Sequence, residues 1–380
     1  MFNWKEVKEL KIRRIIFPIV LTLIVAFVLV SCAPKVQPTV TSEETKAEVT
    51  ETTAETTAEA KKEITIGYAA PWLPDVGQVT IMQGLIDGAM KLGWKVITTD
   101  ANGDVQKQIN DIDNLITMGV DAVVSVPQDS AAIVPAIEKC NQLGIPFFTI
   151  DRGATGGKIV LTVLADNYLA GKQEGDNLIK LLTAKYGEPK GKVLELQGDL
   201  ATNVAQLRGK GFDDVVAQNP NIKLIQVPTK WAPDVGAKGV EDTLTTDPDL
   251  DAVYFHSEYT GAGVVSALDR LGKLVPIGDK NHIIILGIDG SADALNWIRN
   301  DLMDSTSSQP LYDFGIVCSR YIKDTLEGVE IKPGTVEEPG ALWSPAKIQE
   351  VAVGLELQLA TTLVTKENVD DPGLWGNVLK

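Results

Sequence analysis

Asp151-Arg152 sets a carboxylate beside a guanidinium directly after the apolar run Phe147-Phe-Thr-Ile150. Other polar or aromatic residues follow other apolar runs in the same way: Trp72 and Asp75, Gln128 and Asp129, Gln197 and Asp199, Trp231, Ser257-Glu258 and Asp289. Carboxylates, an arginine fork and amides suit neighbouring hydroxyls, which both donate and accept hydrogen bonds. Indole faces suit the C–H face of a sugar ring. The set favours binding a polyhydroxylated small molecule. A glycoside hydrolase needs two carboxylates flanking one bond; here each acid is already explained by hydroxyl binding, so no enzyme is expected. The histidines are His256 and His282, without paired metal-ligand spacing, and a zinc site is not expected. No Gly-x-x-x-x-Gly-Lys-Ser/Thr stretch occurs. Gly209-Lys-Gly211 and Gly261-Ala-Gly263 lack the context of a dinucleotide site and read as helix-packing glycines, so no cofactor is expected.

Hydrophobic periodicity supplies the elements that must hold these residues. Strand patterns at 64–68, 94–98, 121–126 and 146–150 alternate with helical patterns at 81–92, 105–118 and 131–143. The alternation restarts with strands at 192–196, 223–227, 252–255 and 283–288, again separated by helical patterns. Near-continuous apolar strands between helices imply parallel sheets covered on both faces. The stretch from Ile64 onward is long for one compact unit. The expected fold class is α/β, with two doubly wound parallel-sheet (Rossmann-like) lobes. Ligands of such sheets lie outside the carboxyl ends of the strands, so two facing lobes would line a cleft with the residues above.

The chain has 51 Asp and Glu against 35 Lys and Arg, a net charge of −16. Nucleic acid as a partner is disfavoured, because phosphate binding needs a concentrated basic surface. Cys140 and Cys318 lie in apolar helical patterns and are expected as buried free thiols. Cys32 differs. It closes Leu29-Val30-Ser31-Cys32 at the end of the apolar run 15–30, with Lys5, Lys8, Lys11, Arg13 and Arg14 ahead, as in a secretory signal. The run is short for the roughly 20 residues of a membrane span, and the arrangement resembles a bacterial lipobox. That resemblance implies a signal peptide over 1–31, a lipid on Cys32 and an extracytoplasmic position at the cell membrane. Residues 33–62 carry no aromatic side chain and are rich in Thr and Glu. Such a stretch cannot bury enough apolar surface to order itself, so 32–62 is expected to be the lipidated cysteine and a flexible tether.

Further motifs recur in a fixed order: Ile66-Gly67, Asp87-Gly88-Ala89, Leu92-Gly93-Trp94, Asp100-Ala-Asn-Gly-Asp104, Gly119-Val-Asp121, Pro127-Gln-Asp129, Gly144-Ile-Pro146 and Thr149-Ile-Asp-Arg152. Together they resemble the ribose-binding-protein family, the type I periplasmic binding proteins that serve ATP-driven sugar importers. The resemblance implies that Asp151 and Arg152 grip sugar hydroxyls from the first lobe and that Arg208, in Arg208-Gly-Lys-Gly-Phe212, reaches in from the second. It also implies a carboxylate contact from Asp289, a hinge contact from Gln309 and ring stacking by Trp231, with Ser257 standing where asparagine is usual. Trp72, Asp75 and Gln128 complete the expected ligand-binding set. The segment 71–77 is longer than in ribose binders, and Val126 replaces a polar residue, so a pentose, hexose, polyol or related carbohydrate stays open.

The implied lobes are 63–165 plus 310–345 and 166–309 plus 346–380. Hinge crossings are expected near Ala165, Gln309 and 342–346, with the tail from Asp370 packed beside the hinge. The implied partners are a sugar or polyol and a membrane ABC permease, with the protein acting as a monomer. A sugar-responsive repressor would need an N-terminal DNA-binding helix pair, whose place is taken by the signal and tether. A sugar receptor for chemotaxis or a sensor kinase, or a nucleoside-type ligand binder, are the alternatives.

Overall fold

Two sheets, each with helices on both faces, share the chain from Thr65 onward. The structure is a computed structural model that describes residues 63–378. Cys32, the signal segment and the tether lie outside the described residues. The first lobe contains β1 (Thr65–Ala70), α1 (Val76–Lys91), β2 (Lys95–Asp100), α2 (Val105–Thr117), β3 (Ala122–Ser125), α3 (Val134–Gln142), β4 (Phe147–Ile150) and β5 (Ile159–Ala165). The second contains α4 (Asn167–Tyr186), β6 (Gly191–Gln197), α5 (Asn203–Val216), β7 (Ile222–Pro228), α6 (Pro233–Thr246), β8 (Ala252–Phe255), α7 (Glu258–Arg270), β9 (Ile284–Asp289), α8 (Ala292–Arg299) and β10 (Ser305–Ser308). The chain returns to the first lobe for α9 (Leu311–Leu326), β11 (Gly334–Val336), β12 (Ala346–Val351) and β13 (Gly354–Leu359). It ends in the second with β14 (Thr362–Val364) and α10 (Trp375–Val378).

The eight-stranded sheet runs β11-β12-β13-β5-β4-β3-β1-β2, parallel from β13 to β2 with an antiparallel edge of β12 and β11. The six-stranded sheet runs β14-β10-β9-β8-β6-β7 and is parallel except for β14. Phe147 and Phe148 enter different core clusters, as alternation along a strand requires. Cys140 and Cys318 are buried free thiols, again in separate clusters. Among the described residues no helix is long and apolar enough to cross a membrane.

One expected boundary is corrected. The chain crosses between lobes after Ala165, after Ser308 and after Leu359, not near 342–346. Residues 346–359 belong to the first lobe, because β13 pairs in parallel with β5 and β12 folds back on β13. One further strand carries a weak apolar signal. In β10, Ser305, Thr306, Ser307 and Ser308 are all buried, and three of their hydroxyls donate to acids: Ser305 Oγ and Ser307 Oγ to the Glu174 carboxyl at 2.6 and 2.8 Å, and Thr306 Oγ1 to Glu258 Oε1. The helix-packing glycines behave as expected. A Cβ at Gly211 would stand 2.1 Å from the Tyr168 carbonyl oxygen, and one at Gly171 2.0 Å from that of Arg208, so α4 and α5 touch backbone to backbone.

The lobes are closed on one another. Trp72 Nε1 donates to Tyr259 Oη at 3.2 Å, Gly153 N to Asn203 Oδ1 at 3.1 Å and Asn203 N to Ser130 Oγ at 3.3 Å. The C-terminal tail straps the hinge, with Leu374 in the second-lobe core and Trp375 packed against the first.

Candidate ligand-binding site

Most of the expected residues converge because they sit where a strand meets the cleft. Asp151 follows β4 with φ 63°, and Asp289 ends β9 with φ 135°, both left-handed conformations that turn the chain sharply at the strand end. Ser257 follows β8 and caps α7, its Oγ accepting from Tyr259 N at 3.2 Å. Asp75 caps α1, accepting from Gly77 N at 2.8 Å. Arg208 comes from α5, fixed by the α4 contact, and its Nε donates to Asn167 Oδ1 at 2.8 Å. Gln309 follows β10 at the second crossing. These residues, with Arg152 and Trp231, line an inner cavity of about 30 Å³. Trp72 and Gln128 do not reach it. They line an adjoining outer chamber of about 610 Å³ together with Asp129 and Asp199. Gln197 lines neither; its carbonyl accepts from Thr229. Glu258 instead accepts from Gly290 N and Ser291 N at the start of α8.

Asp289 is the hub of the inner cavity. Its Oδ1 accepts from Gln309 Nε2 at 2.7 Å and Arg208 Nη1 at 3.3 Å, and its Oδ2 from Ser257 Oγ at 2.6 Å and Glu258 N at 3.3 Å. On the first-lobe wall, Gln78 Nε2 donates to Asp151 Oδ2 at 3.1 Å, and Arg152 Nη1 to the Pro127 carbonyl at 3.3 Å. Both guanidiniums lie over the Trp231 ring, that of Arg152 5.5 Å and that of Arg208 5.8 Å from its centroid. Lys230 and Trp231 both adopt positive φ, 53° and 68°. For a bulky residue that conformation costs roughly 1–3 kcal/mol and is held by its surroundings. Here the indole is pressed on Gly198, where a Cβ would lie 2.1 Å from the ring.

Among the described residues, five buried side-chain polar atoms have no hydrogen-bond partner: Tyr68 Oη, Gln78 Oε1, Trp231 Nε1, Gln309 Oε1 and Arg152 Nε, which lies 3.6 Å from Asp151 Oδ2. Leaving such an atom unsatisfied costs about 1–3 kcal/mol. All but Tyr68 belong to residues lining the inner cavity, and they mix donors with acceptors. Burial pushes several carboxyls up. Asp75, which keeps some contact with solvent, is raised to about 7 by burial and then by repulsion from Asp289. Asp289 is raised by burial despite Arg208, and burial lowers Arg152. His256 is pushed down to about 3 by burial, then by Arg208; it is a neutral core residue whose Nε2 lies 2.6 Å from Glu195 Oε1. Among the described residues no group of three His, Cys, Asp or Glu could hold a metal ion. Sequence reasoning missed Gln78, Tyr68 and Tyr259. Gln78 lies within a helix rather than just past a strand, Tyr68 is a buried residue of β1, and Tyr259 is half-buried in the first turn of α7.

A cleft at strand carboxyl ends between two three-times-crossed α/β lobes, lined by partnerless donors and acceptors, defines a small-molecule receptor. A family model described as a periplasmic binding protein domain matches residues 66–352, and the chain belongs to that family, in its ribose-binding-like type I branch. It is 33% identical over 283 residues to the ribose import binding protein RbsB of Bacillus subtilis (strain 168), covering 73% of this chain and 87% of the relative. A carbohydrate transporter solute-binding protein from Agrobacterium radiobacter, solved in complex with D-arabinose, superposes with a TM-score of 0.71 at 19% identity, over 82% of this chain and 98% of that one. The fructose-binding periplasmic domain of a hybrid two-component system gives a TM-score of 0.68 at 24% identity, over 82% and 93%.

Proposed function

We propose that this chain is the extracytoplasmic substrate-binding component of an ABC-type sugar importer, taking a monosaccharide or polyol into the interlobe cleft. The observation that carries this reading is the set of partnerless polar atoms around the inner cavity. A neutral ligand bearing several hydroxyls satisfies donors and acceptors together, which neither a simple anion nor a simple cation does. Asp151, Arg152, Arg208, Asp289 and Gln309 bind hydroxyls, and Trp231 offers its face to the ring. Cys32 carries the lipid that keeps the monomeric receptor near its permease. Closure delivers the ligand, because a sugar touching both lobes favours the closed form by its differential affinity. Asp289→Ala should abolish sugar-dependent thermal stabilisation while the circular dichroism spectrum stays native; retained stabilisation would remove Asp289 from the site. A second reading, a sugar sensor coupled to a kinase, is favoured by the likeness to the fructose-binding sensor domain. Loss of sugar uptake on deleting the gene separates the importer from the sensor.

A further inference from the structure

The inner cavity, at about 30 Å³, has room for only a few water-sized probes, whereas the outer chamber it opens into measures about 610 Å³. The two share Asp75, Gln78, Arg152 and Trp231, so they adjoin along these side chains. A volume of that size is typical of sites that enclose drug-sized ligands. The walls also change character. The inner cavity is lined mainly by charged and amide groups, whereas the outer chamber adds Trp72, Val105, Pro233 and Tyr259 to a wall that still carries charged groups such as Asp129 and Lys230.

Its aromatic plates are held in place. Trp72 rests on Gly103, where a Cβ would lie 3.3 Å from the indole, and its Nε1 is bonded to Tyr259 Oη across the lobes. Trp231 is fixed by its strained backbone and by Gly198 at the junction of the two spaces. Rigid aromatic faces beside a polar pocket suit a second ring with a flat apolar face. We infer that the preferred ligand is a glycoside: one sugar ring seated where the two spaces adjoin, with its hydroxyls directed at the inner polar groups, and joined by its glycosidic bond to a second ring in the outer chamber. This rests on the sugar-binding reading and narrows it. The second ring is either another sugar or an aromatic base.

Isothermal titration of the full chain in mild detergent tests it, comparing each parent monosaccharide with its disaccharides, its phenyl glycoside and, for ribose, its nucleosides. At least one glycosylated ligand should bind ten times more tightly than its parent, and the responding arm names the second ring. Trp72→Leu and Tyr259→Leu, both at partly exposed positions, should each collapse that ratio toward one. Parents binding as well as or better than every glycosylated form would overturn the inference and leave the sugar reading standing. No response to any carbohydrate or nucleoside would overturn both.

Discussion

Trp231 shows how a single residue can be aimed by its neighbours. Its positive φ is costly for an aromatic side chain, and the close approach to Gly198 leaves the indole one place to go. Gly198→Ala should therefore push the ring out of the cleft and weaken sugar binding at least tenfold with the fold retained, as measured by titration and circular dichroism; unchanged affinity would show that Trp231 is packing alone. The buried acids give a second residue-scale expectation. Burial pushes Glu174 and Glu258 up to about 8 and Asp75 to about 7. The native state thus holds protons that the unfolded chain releases above the ordinary carboxyl range, and stability falls as pH rises between about 4 and 8. The melting temperature should be higher at pH 5.5 than at pH 8.5. Glu174→Gln keeps the partners of Ser305 and Ser307 without the charge and should narrow that difference.

At the scale of elements, the tail from Asp370 has a defined role. Trp375 Nε1 donates to the Asp289 carbonyl at 2.8 Å, and Arg299 Nε to Asp370 Oδ1 at 2.7 Å. The tail therefore braces the backbone of the hub carboxylate from behind. Removing residues 370–380 exposes Leu374 and Trp375 contacts of a size that costs roughly 3–5 kcal/mol in other cores. Denaturant unfolding should show that loss together with weaker sugar binding; a tail-less chain with full stability and affinity would contradict it. The central strands were legible in the sequence because Ala122-Val-Val-Ser125 and Phe147-Phe-Thr-Ile150 are apolar at three of four positions, and the site followed because ligand residues cluster just past such strands. β10 was not legible, since three of the four residues of Ser-Thr-Ser-Ser are buried through hydroxyl bonds to acids on other elements. The third crossing was displaced for a related reason: β12 and β13, toward the β11 edge of the sheet, mix Lys, Gln and Glu with Ile and Leu, a weaker signal than the apolar strands at the sheet centre. Gln78 depends on where α1 begins. The helix starts at Val76, directly after the Asp75 cap, ahead of the apolar stripe that announced it at Ile81.

For the whole molecule, the closed arrangement is maintained by a few direct bonds between lobes, among them the pair made by Asn203 with Gly153 and Ser130. Asn203 does not line the inner cavity or the outer chamber. Asn203→Ala should reduce the closed population and with it the apparent affinity, which scales with the competent fraction. Small-angle scattering should show a larger radius of gyration for that variant without ligand and the same radius as the parent when saturated; no change in either state would exclude the latch. The central claim, that the cleft binds a sugar or polyol, is tested most directly by thermal unfolding of residues 33–380 against pentoses, hexoses, polyols, glycosides, nucleosides and amino acids. A carbohydrate at 100 times its dissociation constant should stabilise the protein by about 2.7 kcal/mol. Stabilisation by amino acids alone, or by none of these compounds, would contradict it.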